Sequence, residues 1–131
     1  FKTAWSQLRI ENDSTICGFK LVNGWGPERY VYFVAQFSRP FTKFGIMQDG
    51  KPVIYDKKRF RSDRVAYGNK IIGWFDFDTT EDEEIEVKVA VSSTGTYGAY
   101  INPRELDGPN VDLLKTSGDL LWDRELGKLK I

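Results

Sequence analysis

Histidine is absent from this chain, and cysteine occurs once, at Cys17. The first absence removes the Ser-His and Cys-His nucleophile pairs and most zinc sites, which rely on an imidazole that is basic near neutral pH. The second rules out an internal disulfide. Cys17 stands in an apolar run, Thr15-Ile16-Cys17-Gly18-Phe19, where a thiol is expected to be buried and inert. No apolar run approaches the ~20 residues that a membrane-crossing helix needs. Net charge is missing as well, since 19 Lys and Arg balance 19 Asp and Glu. Without an overall field there is no global pull toward nucleic acid or an anionic membrane.

What remains is enough for one domain with a real core, at 131 residues. A composition of 40% hydrophobic and 29% charged residues belongs to ordinary globular chains rather than disordered ones. Aromatic residues reach 15%, and they suit the half-buried surface of a pleated sheet. The chain opens on Phe1 rather than Met and shows no signal peptide, so it is read as a fragment of a larger protein.

The dominant period is two. Ile85, Val87, Val89 and Val91 alternate with Glu84, Glu86, Lys88 and Ala90, the pattern of a strand with its valine face in the core. Tyr30–Phe37 is apolar on both faces and is expected to be central and covered on two sides. Further strands are expected at Leu8–Ile10, Thr15–Val22, Lys43–Met47, Pro52–Tyr55 and Lys70–Phe77, with turn residues such as Asn23-Gly24, Asp49-Gly50 and Gly68-Asn69 between them. Asp49-Gly50 is the strongest hairpin signal. The fold class is therefore mainly β, an antiparallel β-sandwich with one C-terminal amphipathic helix.

That helix follows Pro109, which suits a first helical turn, and Gly127 is placed to end it. Val111, Leu114, Leu121, Trp122 and Leu126 recur at helical spacing as a stripe too wide for the end of a small sandwich. Leu114, Leu121, Trp122 and Leu126 are read as an interface to another domain. Two parts result: residues 1–108 as the sandwich, and residues 109–131 as a linker helix with the start of an exit strand, Lys128-Leu129-Lys130-Ile131.

Several motifs carry a family likeness. Ile16-Cys17-Gly18-Phe19, Gly24-Trp25, and the run from Val31 to Phe41 through Ser38-Arg39-Pro40 resemble the N-terminal domain of family 92 glycoside hydrolases, exo-acting α-mannosidases of Bacteroides-type bacteria. The likeness continues through Val87-Lys88-Val89-Ala90-Val91-Ser92-Ser93 to Ala99 and Asn102, and ends at Trp122, Leu126 and Leu129. Pro103 departs from it, because the family tends to carry Leu after the asparagine, and Glu105 lies one residue early.

The resemblance implies a two-part enzyme in which this β-sandwich precedes a helical linker and a C-terminal (α/α)6 barrel. The general acid, the carboxylate base and a calcium site would belong to the barrel, beyond Ile131. The sandwich contacts to mannose would lie upstream of Phe1. No catalytic residue, metal ligand or cofactor is thus carried onto this chain. The setting implied is periplasmic, extracellular or cell-surface.

Local constellations fit that reading. Asp76 and Asp78 are spaced like a glycosidase carboxylate pair, but seven acidic residues fall between Asp76 and Glu86, the mark of a solvated edge. That segment also lacks a patterned calcium loop. Lys57, Lys58, Arg59, Arg61 and Arg64 surround Phe60 in a basic loop that Asp56 and Asp63 interrupt, so a solvated loop is favoured over nucleic-acid binding. Trp25, in a loop with little apolar company, is the one candidate for stacking on a sugar, against a role in covering the sandwich end or meeting the barrel.

The expected function is that of a non-catalytic sandwich fragment of an α-1,2-mannosidase. It would support the barrel, shape its site and reach mannose-containing glycans through the parent enzyme. An independent carbohydrate-binding or adhesion module is the alternative, and a structural spacer is the third reading. Alone, the fragment is expected to be inactive, and either to self-associate through its uncovered stripe or to fold its helix back onto the sheet.

Overall fold

Alternating apolar and polar residues carry most of this chain into strands. The structure is a computed structural model that describes residues 2–24, 26–106 and 110–128. Its strands are β1 (Lys2–Ile10), β2 (Thr15–Asn23), β3 (Arg29–Phe37), β4 (Lys43–Gln48), β5 (Lys51–Pro52), β6 (Val65–Gly68), β7 (Ile71–Asp76) and β8 (Val87–Ser92). Two α-helices follow, α1 (Thr96–Ile101) and α2 (Val111–Leu126), and short 3-10 turns occupy Lys57–Arg59 and Asn102–Leu106.

The strands form two antiparallel sheets, one of five in the order β6-β1-β2-β3-β8 and one of three in the order β5-β4-β7. They face each other across a core in which Leu8, Ile10 and Ala66 of the larger sheet meet Ile46 of the smaller one and Phe41 of the β3–β4 connection. At one end the seam is aromatic. Phe37, Phe41, Phe75 and Phe77 pack with centroid separations of 5.0 to 6.3 Å. Tilted and edge-on ring pairs of this kind add attraction beyond the area they bury.

The β4–β5 hairpin closes at Asp49-Gly50. Both residues adopt positive φ, 49° and 84°, the geometry of the primed turn that matches strand twist. Asp49 also exchanges backbone contact with the β6–β7 turn: its N–H donates to the Lys70 carbonyl at 2.8 Å, and its carboxylate accepts from the Lys70 N–H at 2.8 Å.

Four sequence expectations need correction. β5 stops at Pro52 instead of reaching Tyr55, and Ile54 and Tyr55 are exposed, because contact with β4 ends where the Val53 N–H donates to the Ile46 carbonyl at 2.8 Å. Strand β6 was not expected, being too short to display a period, whereas the local helix around Gly98–Asn102 that the family likeness implies, and that Pro103 and Glu105 put in doubt, is present as α1. The cap of α2 is Asn110, whose side-chain oxygen accepts from the Leu113 N–H at 2.9 Å, while Pro109 lies outside the described residues.

The fourth correction concerns β8. Its valines were expected in the core, yet Val87, Val89 and Val91 are 47%, 57% and 57% exposed and Ala90 is buried. The register places them beside Phe37, Ala35 and Phe33, on the face turned toward the smaller sheet. That sheet does not extend over β8, so the alternation was correct and the cover is missing. Ala90 faces the other way, beside Val34 under α1.

Gly18 shows how tightly β1 and β2 meet. A Cβ there would fall inside contact distance of the Gln7 carbonyl oxygen, a backbone atom that cannot move cheaply. Gly18→Ala should therefore destabilise the fold by about 1–3 kcal/mol. Gly118→Ala, mid-helix in α2 with open space around it, should raise helix stability by up to ~1 kcal/mol. Urea titration of the two variants checks both signs.

Candidate functional site

The outer face of the five-stranded sheet is covered at one end only. There α1 sets Ala99 and Tyr100 over the buried side chains of Cys17 and Val34. The Asn102 amide at its C-terminus donates to the Val91 carbonyl at 2.8 Å. Arg9, Glu11, Cys17 and Tyr100 meet in this region. Arg9 Nη2 lies 2.7 Å from Glu11 Oε2, and the Cys17 thiol reaches the same oxygen at 3.8 Å. Burial, and after it the Cys17 sulfur, push the Tyr100 hydroxyl up to about 12 from its ordinary 10.0. Hydrogen bonding to the Cys17 sulfur, foremost, raises Arg9 above its ordinary value. The cluster ties α1 to the sheet and includes no histidine base to activate the thiol.

The carboxylate candidates are separate from this cluster. Asp76 and Asp78 are exposed, on the same side of the chain as Ile72 and Trp74. Glu83 serves its own loop, accepting from the Thr80 N–H at 2.9 Å and the Thr80 hydroxyl at 3.1 Å and pairing with Arg39. Among the described residues no three His, Cys, Asp or Glu side chains converge to hold a metal ion. No helix among the described residues is long and apolar enough to cross a membrane.

In the basic loop, Asp56 caps the Lys57–Arg59 turn by accepting from the N–H groups of Lys58 at 3.0 Å and Arg59 at 3.3 Å. Phe60 follows at φ 51° and is 96% exposed. Arg64 turns back over the Phe44 ring at 5.3 Å.

The open end of the outer face is aromatic. Tyr30 and Tyr32 stack with centroids 5.8 Å apart and 18° between planes, and Phe19 meets Tyr30 edge-on at 5.5 Å. Trp25, the sugar-stacking candidate, lies outside the described residues.

Helix α2 shows the clearest unfinished business of the fold. At 100° per residue Val111, Leu114, Leu121, Trp122 and Leu126 share one side of the helix. Leu113 and Leu120 lie on the opposite side, a pair the sequence reading missed although their spacing of seven signals a helix face. All but Leu114 are exposed, Trp122 at 67%. Leu114 is half-buried where Val111 and Leu114 face Val87 and Val89 across a cleft of about 330 Å³. The structure thus brings the four predicted interface residues onto one side of the helix and sets its first turns beside the uncovered valines.

Comparison with known proteins resolves the kind of domain this is. The sequence model described as "Glycosyl hydrolase family 92 N-terminal domain" matches residues 2–92. This chain belongs to glycosyl hydrolase family 92. A family 92 α-mannosidase of Bacteroides thetaiotaomicron is 51% identical over 96% of this chain, with a TM-score of 0.88, and a second structure of it in complex with mannoimidazole gives the same values. An inverting family 92 mannosidase from the same species is 20% identical over 98% of the chain with a TM-score of 0.80, a likeness of fold. The family 92 domain described here spans 17% of the length of each of these relatives. No curated protein matches.

Within this family 92 domain Tyr100 offers a direct check on the packing of α1. Its proton leaves at about pH 12 when folded and near pH 10 when unfolded. Its contribution is therefore complete below pH 10 and lost as pH rises through 12. One tyrosine should titrate late in ultraviolet absorbance, and Tyr100→Phe should remove that step and lessen the fall in stability between pH 10 and 12.

Proposed function

We propose that this chain is the sandwich portion of an α-mannosidase that supports a catalytic (α/α)6 barrel of the same polypeptide and helps to shape its mannoside site. The observation that carries this reading is α2, an exposed helix with apolar residues on two opposite sides. Burying a Leu or comparable side chain stabilises by roughly 1.5–3 kcal/mol, so a helix with this pattern calls for cover on both sides. A linker lying between sandwich and barrel meets that requirement. The relatives act as mannosidases at several times this length, which supports placing the acid, the base and the calcium site of the whole enzyme in the remainder. A periplasmic or cell-surface setting and access to mannose-containing glycans follow from the same likeness.

Two experiments test the reading. Purified chain should not hydrolyse aryl α-mannosides or mannobiose; turnover lost on Asp76→Asn or Asp78→Asn would overturn it. The wild-type chain should self-associate in light scattering, and Leu121→Asp with Trp122→Asp should abolish this. A strictly monomeric chain, equally stable with and without the two substitutions, would show that the helix needs no partner.

A further inference from the structure

We propose that the loop of residues 56–61 docks on an anionic lipid surface, with Phe60 seated among the headgroups and the cations around it paired to lipid phosphates. This surface is separate from α2 and from the sheet faces, and it does not depend on the hydrolase reading. It begins with a conformation that brings the fold no contact. Phe60 adopts φ 51° and ψ 36°, the left-handed region that glycine or asparagine enters readily and a bulky side chain does not. Such strain persists only where the surroundings fix it. Here they do. The Asp56 N–H donates to the Arg61 carbonyl at 3.1 Å, the Arg61 N–H donates to the Asp56 carbonyl at 3.0 Å, and the Asp56 carboxylate caps the turn between them. Yet the ring held in this way is 96% exposed. A loop fixed around a side chain that its own domain does not pack presents that side chain to something else.

The charges around the ring indicate the partner. Lys57, Lys58, Arg59, Arg61 and Arg64 are all exposed, whereas Asp56 and Asp63, which interrupt the run in sequence, are both half-buried. Asp56 is engaged as the cap and lies 3.7 Å from Arg59. Folding thus turns a mixed run into a face of nearly one sign, although the whole chain is neutral. Salt screens charges beyond about 10 Å, so an approaching surface feels the loop and not the total. Ile54 and Tyr55 are 69% and 66% exposed and add apolar area where the loop begins. A protein interface fits this composition poorly, because its core is depleted of lysine and packs its aromatic anchors in desolvated pockets. Single-stranded nucleic acid takes a groove with successive ring faces, and one protruding ring supplies neither. A bilayer surface takes what is here: an apolar tip at headgroup depth, and long basic side chains that reach from it to phosphate.

Co-sedimentation with vesicles tests this on the full-length polypeptide and on the 131-residue chain. Both should bind vesicles of phosphatidylcholine mixed with phosphatidylglycerol, and neither should bind phosphatidylcholine alone. Phe60→Gly should weaken binding by at least about 10-fold through lost apolar burial. The same change should leave the midpoint of thermal unfolding unchanged or higher, since glycine removes the strain. Lys57→Gln and Lys58→Gln should each weaken binding about 5-fold. In Phe60→Trp, the emission added to that of the wild-type protein should shift to the blue only when anionic vesicles are present. Absence of binding to anionic vesicles, or binding that survives Phe60→Gly, would overturn the proposal. So would an introduced indole already shielded from acrylamide in the full-length polypeptide without lipid, which would assign Phe60 to an intramolecular contact. Displacement from vesicles by excess inorganic phosphate, or tighter binding to a single-stranded oligonucleotide, would overturn it in favour of a free-anion or nucleic-acid site. None of these results bears on barrel docking, which α2 carries separately.

Discussion

The contact between the two sheets is made along one seam, and its reach sets the character of the domain. Phe37, Phe41, Phe75 and Phe77 lock the smaller sheet at one end, and Leu8, Ile10, Ile46 and Ala66 fill the centre. Where the smaller sheet ends, the larger one continues through β3 to β8 with its apolar side turned to solvent. The same chain then leaves through a helix that is apolar on two sides.

Much of this was legible in the sequence because period two is a local signal. The interior place of β3 between β2 and β8, the Asp49-Gly50 turn, the buried thiol at Cys17 and the helix through Leu126 all follow from neighbours a few residues apart. The cover expected on both faces of β3 is incomplete, since Tyr30 and Val31 are exposed. Short elements were not legible in the pattern. Four residues of β6 acquire their strand character from pairing with β1, some sixty residues away in sequence, as Tyr67 opposite Gln7 illustrates. Helix α1 owes its place to the buried contact of Ala99 with Cys17 and Val34 rather than to any period.

The β8 valines show where pattern and burial part company. Alternation reports which residues share a face, and it did so correctly; whether that face is covered depends on elements elsewhere. Candidate catalytic pairs failed for the converse reason. Asp76, the last residue of β7, and Asp78 beyond it have a suggestive spacing, but both are exposed on the same side of the chain as Trp74, and Glu83 is committed to Thr80 and Arg39. Chemistry requires convergence from several elements, and the described residues converge only at Arg9, Glu11, Cys17 and Tyr100, where the cluster anchors a helix. The family model that matches is that of an N-terminal domain, and a relative at 51% identity is described as an α-mannosidase.

The most direct measurement is an experimental structure of the full-length polypeptide, read at two positions. Val89, 57% exposed here, and Trp122, 67% exposed here, should both be buried, Trp122 against a helical domain. A full-length structure in which both side chains remain as exposed as they are in these 131 residues would contradict the reading of this domain as an incomplete sandwich with a docking helix.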